Sequence, residues 1–140
     1  MNKYPVIIAD ADAIIAIAHA NDAHHMKAMQ ISEKLEHLQA QVLYPATAIA
    51  EAATFIERVL LNTAMAFGTV SLLTSLEAQV VEVNKQVLVE AIQHFSPHAS
   101  KKNTMFDCII AAIARREKAD AVFSFDRFYK KNGFALAEEL

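Results

Sequence analysis

Short apolar runs that stop at an acidic residue constrain this chain most. Pro5-Val-Ile-Ile-Ala9 ends at Asp10, and Ala121-Val-Phe-Ser-Phe125 ends at Asp126. A continuous apolar run of this length, bounded by polar residues, reads as a strand covered on both faces. Val42-Leu43-Tyr44 is a second such run, stopped by Pro45. Residues 79–83 alternate like a strand, and 134–136 offer a short last one. Between the runs, apolar residues recur at helical spacing. The spacing predicts helices over 11–20, over 22–39 with Asp22 as cap and Met26, Met29, Leu35 and Leu38 as apolar face, and over 47–61 with Thr47 as cap. Further helices are predicted over 62–75, 85–95 and 104–118. Strands alternating with helices mean an α/β fold, a parallel sheet with helices on both faces. In such sheets ligands bind outside the carboxyl ends of the strands, here just after Ala9, Tyr44 and Phe125.

The chain has 140 residues, 54% of them apolar, enough for one domain with a real core, and no repeat or linker divides residues 1–140. Two Gly and three Pro exclude a collagen-like chain or a Gly-rich loop protein. One cysteine, Cys108, excludes a disulfide framework and any Cys-based metal knuckle. The apolar stretch 6–18 is interrupted by Asp10 and Asp12, so neither a membrane span nor a signal peptide is expected, and the expected location is the cytoplasm. The net charge of −3 is unevenly spread. Residues 1–96 carry five basic and ten acidic side chains, whereas residues 97–131 carry eight basic and four acidic. A basic segment in an acidic chain attracts phosphates or is a solvated helix end.

Four acids stand in unusual company. Asp10 and Asp126 end apolar strands. Glu51 has Ala48 and Phe55 as helical neighbours. Asp107 lies in Met105-Phe-Asp-Cys-Ile-Ile-Ala-Ala-Ile-Ala114, an almost wholly apolar helix. Unpartnered charge in apolar surroundings is costly and in practice is protonated or paired. Brought to one sheet edge, the four would repel one another, and a divalent cation resolves the conflict. Oxygen ligands without Cys or convergent His suit Mg²⁺ or Mn²⁺ better than Zn²⁺. Asp10 is the hardest to explain otherwise, whereas the other three each have a plain alternative. Asp107 follows Thr104 in a capping-box pattern worth about 0.5–2 kcal/mol. Asp126 can open a turn, and Glu51 can pair with a distant cation.

Taken in order, Ile7-Ile-Ala-Asp10-Ala-Asp-Ala-Ile-Ile, Pro45-Ala-Thr-Ala-Ile-Ala-Glu51, Thr104-Met-Phe-Asp107-Cys-Ile-Ile and Ala121-Val-Phe-Ser124-Phe-Asp126-Arg-Phe resemble the PIN domain, in particular the VapC-type toxin ribonucleases of type II toxin–antitoxin pairs. The segment Asn21-Asp-Ala-His-His25 also resembles the family's early helix pair. The resemblance spans nearly the whole chain. It implies a three-layer sandwich with a mostly parallel five-stranded sheet, and a Mg²⁺-dependent ribonuclease leaving 5′-phosphate and 3′-hydroxyl ends. It also implies an antitoxin protein as partner. Asp10, Glu51, Asp107 and Asp126 match the family's acidic quartet. Asp12 stands where the family has Ser, Thr or Asn, and Thr104 where it often has Ser. Asp12 either adds charge to the metal site or caps the following helix.

On this reading Asp10, Asp107 and Asp126 hold the principal ion, while Glu51 holds or orients a second ion or the attacking water. Two-metal sites place their ions about 3.5–4 Å apart. The hydroxyls of Thr104 and Ser124 either hydrogen-bond these carboxylates or serve caps and turns. Lys101, Lys102, Arg127, Lys130 and Lys131 are the candidates for RNA phosphates. Arg115 and Arg116 fall at the far end of their helix, as solvated charges or antitoxin contacts. An unpaired RNA target suits a cleft better than a duplex.

Adjacent His24 and His25 face different directions and read as surface residues rather than ligands. Pro97 breaks the helix between His94 and His98, which removes them as a metal pair. Met26 and Met29 read as ordinary core. Residues 48–76 are more apolar than one small sheet needs, so they supply either core or an interface to an antitoxin or a second copy in a homodimer. Two rival functions remain: a haloacid-dehalogenase-like phosphatase, suggested by Asp10-Ala-Asp12, and a non-catalytic RNA- or protein-binding module on the same fold.

Overall fold

The computed structural model describes residues 4–97 and 103–140. Four strands, β1 (Val6–Ala9), β2 (Gln41–Pro45), β3 (Gln79–Val81) and β4 (Ala121–Phe123), form one sheet in the order β3-β2-β1-β4, and every pair is parallel. Helices α1 (Ala11–Ala18) and α2 (His25–His37) connect β1 to β2, and α3 (Ala46–Arg58) and α4 (Thr63–Leu73) connect β2 to β3. The chain returns through α5 (Lys85–Ala91), a 3-10 turn at Ile92–His94 and α6 (Met105–Arg116), then ends in α7 (Phe128–Lys131) and a 3-10 turn at Ala137–Glu139. The expected fifth strand is reduced to one parallel bridge between Val122 and Leu136. The Val122 N–H donates to the Ala135 carbonyl, and the chain then turns into the final 3-10 segment.

Side chains along a strand alternate between faces, and the core divides accordingly. Ile8, Leu43 and Val122 face one apolar cluster, roofed by α3, α4, α5 and α6. Ile7, Ala121 and Phe123 face the other with Ala28, Ile31 and Leu35 of α2. Both faces of β1 and β4 are therefore covered, and these two strands read as unbroken apolar runs for that reason. Residues 108–114 of α6 are all buried, as their sequence leads one to expect.

Some local expectations change. Met26 and Met29 are 74% and 47% exposed, so they are not core. The buried stripe of α2 is Ala28, Ile31 and Leu35, and Leu38 lies past it at 40% exposure. Asp22 does not cap α2 directly. It accepts from the His24 N–H at 2.8 Å, which shapes the turn, and the helix begins at His25. Thr47 is no cap either. Helix α3 starts one residue earlier, straight out of β2 at Pro45, and Thr47 Oγ1 is buried with no partner among the described residues. Asn62 does cap α4, accepting from the Met65 N–H at 3.0 Å.

Candidate active site at the carboxyl edge of the sheet

The strand order reverses between β1 and β4: the chain moves outward from β1 through β2 to β3, then comes back to the opposite side of β1. A crevice opens at such a switch point, outside the strands' carboxyl ends. A cavity of about 230 Å³ lies there, lined by Asp10, Ala11, Asp12, Ile15, Glu51, Phe55, Thr104, Asp107 and Asp126. The four acids singled out by their company, and Asp12 with them, come from four separate stretches of chain to this one place.

Asp10 leaves β1 and caps α1, its Oδ1 accepting from the Ala11 N–H at 2.7 Å. It is 4% exposed. Its Oδ2 accepts from the Tyr129 hydroxyl at 2.5 Å and, at 3.5 Å, from Ser124. Burial, then the charges of Asp12 and Asp107, push the Asp10 carboxyl well above the usual carboxylate range. Asp12 sits in the first turn of α1 and ties that helix to the end of β4. Its Oδ2 accepts from the Phe125 N–H at 2.8 Å and the Ser124 hydroxyl at 3.0 Å, and its Oδ1 from the Ala13 N–H at 2.8 Å. Burial raises its carboxyl too, against these bonds. The cap of α1 is thus Asp10, and Asp12 is a cross-link that also lines the cavity.

Glu51 lies on the second turn of α3 and forms no hydrogen bond or ion pair with another described residue. Burial first, then the charges of Asp107 and Asp12, push it up to about 7. Asp107 completes the capping box of α6: its Oδ2 accepts from the Thr104 N–H at 2.9 Å while Thr104 Oγ1 accepts from the Phe106 N–H at 3.2 Å. The Thr104 hydroxyl therefore serves the cap and not a carboxylate. Asp107 is raised chiefly by burial. Asp126 opens the turn into α7, accepting from the Phe128 N–H at 2.9 Å, and still reaches the cavity. For Asp107 and Asp126 the plain and the functional readings coexist, because a cap engages one lone-pair direction and leaves others open.

Two members of the site carry no acidic signal and escaped the sequence. Tyr129 is fully buried, and its hydroxyl stands between Asp10 Oδ2 and Asp107 Oδ1, the latter at 3.4 Å. Asn103 Nδ2 donates to Asp126 Oδ2 at 3.0 Å and to Asp107 Oδ2 at 3.4 Å. Ser124, 2% exposed, donates to Asp12 and accepts from the Asp126 N–H at 3.1 Å. Three neutral groups thus hold the acids in pairs. The available signals were proximity alone: Asn103 precedes the Thr104 capping box, and Tyr129 lies three residues past Asp126.

No Lys, Arg or His among the described residues pairs with any of these acids; the ion pairs there are Lys27–Glu138, Arg116–Glu90 and Lys130–Glu139. Nor are three or more Asp, Glu, His or Cys side chains among the described residues drawn tightly enough together to cage a metal ion as they stand. The donor chemistry nonetheless fits a hard cation: every group is an oxygen, the charge is in excess, and burial, with the charges of neighbouring acids, raises Asp10, Glu51 and Asp107. Of the expected phosphate contacts, Arg127, Lys130 and Lys131 are exposed, Lys130 being 3.5 Å from Glu139. Lys101, Lys102 and His98 lie outside the described residues. His25 Nδ1 lies 2.6 Å from the Ala16 carbonyl, and His24 stacks on Phe125, so neither reaches the acids as a ligand. Arg115 lies over the Phe134 ring, at the far end of α6.

No curated protein matches the sequence. Among solved structures, the crystal structure of Mycobacterium tuberculosis VapC20, a Sarcin-Ricin loop cleaving toxin, is similar, with a TM-score of 0.81 over 92% of this chain and 96% of that one at 18% identity. At that identity the likeness is one of fold, and it extends to both helical layers. The profile of the PIN domain matches residues 7–135, which hold every acid of the cavity, and on that match the chain belongs to the PIN domain family.

Proposed function

We propose that the chain is a metal-dependent ribonuclease, the toxin of a toxin–antitoxin pair, acting through Asp10, Glu51, Asp107 and Asp126 with Mg²⁺ or Mn²⁺. The observation that carries this reading is the cavity: five carboxylates share it with no cation from the described residues, and burial and mutual repulsion hold Asp10, Asp12, Glu51 and Asp107 up. Family membership supports the nuclease class and removes the haloacid-dehalogenase-like alternative.

Asp10, Asp107 and Asp126 are the proposed holders of the principal ion, with Glu51 opposite them on α3. When bound, the ion lowers the pKa of water and neutralises the charge that develops on the cleaved phosphodiester. The chain's own contribution is placement. Tyr129, Ser124 and Asn103 donate to the carboxylates and fix their orientation, as outer partners of metal ligands do. Glu51, raised by burial and by the charges of Asp107 and Asp12 while no ion is bound, would orient the attacking water or hold a second ion. Ile15 keeps part of the cavity apolar. Arg127, Lys130 and Lys131, all exposed, are the proposed holders of flanking phosphates, with Lys101 and Lys102 proposed from the sequence alone. The exposed apolar side chains Leu61, Phe67, Leu72 and Leu76 offer the surface for an antitoxin or a second copy. No helix of the described residues is long and apolar enough to cross a membrane, in keeping with the proposed cytoplasmic setting.

The test is incubation of the purified chain with a looped RNA, since VapC20 cleaves the Sarcin-Ricin loop, in Mg²⁺ and in EDTA, beside Asp107→Asn. Cleavage should need both the metal and the carboxylate, with a loss of at least about 100-fold in the variant. Cleavage that survives chelation and substitution refutes the mechanism. One observation favours a second reading, a PIN-fold module that binds without cutting: neutral side-chain donors from Tyr129, Ser124 and Asn103 reach Asp10, Asp12, Asp107 and Asp126. Absence of cleavage under Mg²⁺, with RNA bound equally by both proteins, would select it.

A further inference from the structure

The carboxylate cavity has a wall that hydrolysis does not use. Phe55 lines it together with Glu51, Asp10, Asp12, Asp107 and Asp126. Helix α3 places it there: Phe55 follows Glu51 by one turn, and residues four apart share a helix face. The next residue, Ile56, turns into the core and is fully buried, whereas Phe55 stays 38% exposed. A phenyl ring left open to this extent forgoes part of its burial energy, and it does so in the lining of a charged cavity. Ile15 and Ala11 supply the other apolar lining. The cavity therefore has two kinds of lining, carboxylates and a partly exposed aromatic ring.

A nucleotide likewise has two parts, an anionic phosphate and a flat base whose π face stacks on aromatic side chains. We propose that Phe55 is a nucleobase-stacking surface that takes the unpaired base of the nucleotide beside the scissile phosphate. The inference rests on the ribonuclease reading for the position of the phosphate and adds a site for the base. A base within a duplex has both faces covered by its neighbours, so the ring selects unpaired or splayed nucleotides. Stacking tolerates every base, because each has a π face. Phe55 therefore selects the state of the nucleotide and leaves its identity to other contacts.

The test uses the full chain and a short single-stranded RNA carrying 2-aminopurine at the nucleotide next to the cut, mixed rapidly with Mg²⁺ so that binding is read before turnover. Wild type and Phe55→Tyr should quench the fluorophore. Phe55→Leu, apolar but without a π face, should not. In steady state, Phe55→Leu should raise KM about tenfold, the scale of one lost base–aromatic stack, with kcat within about twofold. An abasic RNA should cost the wild-type chain the same factor and leave it equal to Phe55→Leu, an arm that holds even if a variant folds poorly. Wild-type quenching by Phe55→Leu, or an equal penalty from that substitution on abasic RNA, overturns the inference. A chain that cuts RNA with no dependence on Phe55 keeps the ribonuclease reading and loses this one; a chain that quenches through Phe55 without cutting loses the ribonuclease reading and, with it, the scissile phosphate beside which the base was placed. A chain that does neither refutes both.

Discussion

Glu51→Gln should stabilise the metal-free protein above neutral pH while removing a group the proposed reaction needs. Glu51 is held at about 7 in the fold against an ordinary value of 4.5. The sign follows from linkage. Below pH 4.5 the side chain is protonated in both the folded and the unfolded chain and costs nothing. As pH rises from 4.5 towards 7, the unfolded chain ionises first, so stability falls across that window and the loss is complete above 7. A shift of 2.5 units on a fully shielded group is worth about 3.4 kcal/mol at 1.36 kcal/mol per unit. Glu51 is only partly buried, and solvent screening brings the expected effect down to about 1–2 kcal/mol. For a chain of this size that is roughly 3–8 °C in melting temperature. The assay is thermal or urea unfolding of both proteins in EDTA at pH 4.5 and pH 8. The variant should match wild type at the lower pH and exceed it at the higher. Saturating Mg²⁺ should close or reverse the gap, since an ion bound only by the folded state stabilises by mass action and the variant offers one carboxylate fewer. Identical pH slopes for the two proteins in EDTA would refute the argument that Glu51 is held out of its preferred charge state.

Three further substitutions probe the same structure. Tyr129→Phe removes only the hydroxyl that donates to Asp10 and Asp107; it should cost about 1–3 kcal/mol and weaken Mn²⁺ binding in a calorimetric titration, and unchanged metal affinity would reduce Tyr129 to a packing residue. Asp10→Asn should raise the melting temperature in EDTA by relieving a buried carboxyl crowded by Asp12 and Asp107, while lowering Mg²⁺ affinity; a titration that shows unchanged affinity refutes its place among the ligands. Ile110→Ala, at a site 1% exposed in the middle of α6, should cost about 2–5 kcal/mol. Chemical denaturation reads that loss, and a loss below 1 kcal/mol would show that α6 does not anchor the core.

Residue order alone determined the layered α/β plan and the edge of the sheet where chemistry gathers. Both follow from local rules: a short apolar run bounded by turn residues reads as a strand, and strands alternating with helices favour a parallel sheet. The same rules made Asp10, Glu51, Asp107 and Asp126 conspicuous, because a carboxylate among aliphatic residues is costly wherever the chain goes. Tertiary structure decided what depends on distance through space. Only the fold puts the Tyr129 hydroxyl on Asp10, across 119 residues of sequence, and Asn103 against Asp126. A neutral side chain gives no warning in sequence, because it costs little in either environment. The fold also turned Met26 and Met29 outward on α2, since helical spacing describes several stripes equally well and packing against the sheet chose the one with Ala28, Ile31 and Leu35. The expected last strand is one parallel bridge between Val122 and Leu136.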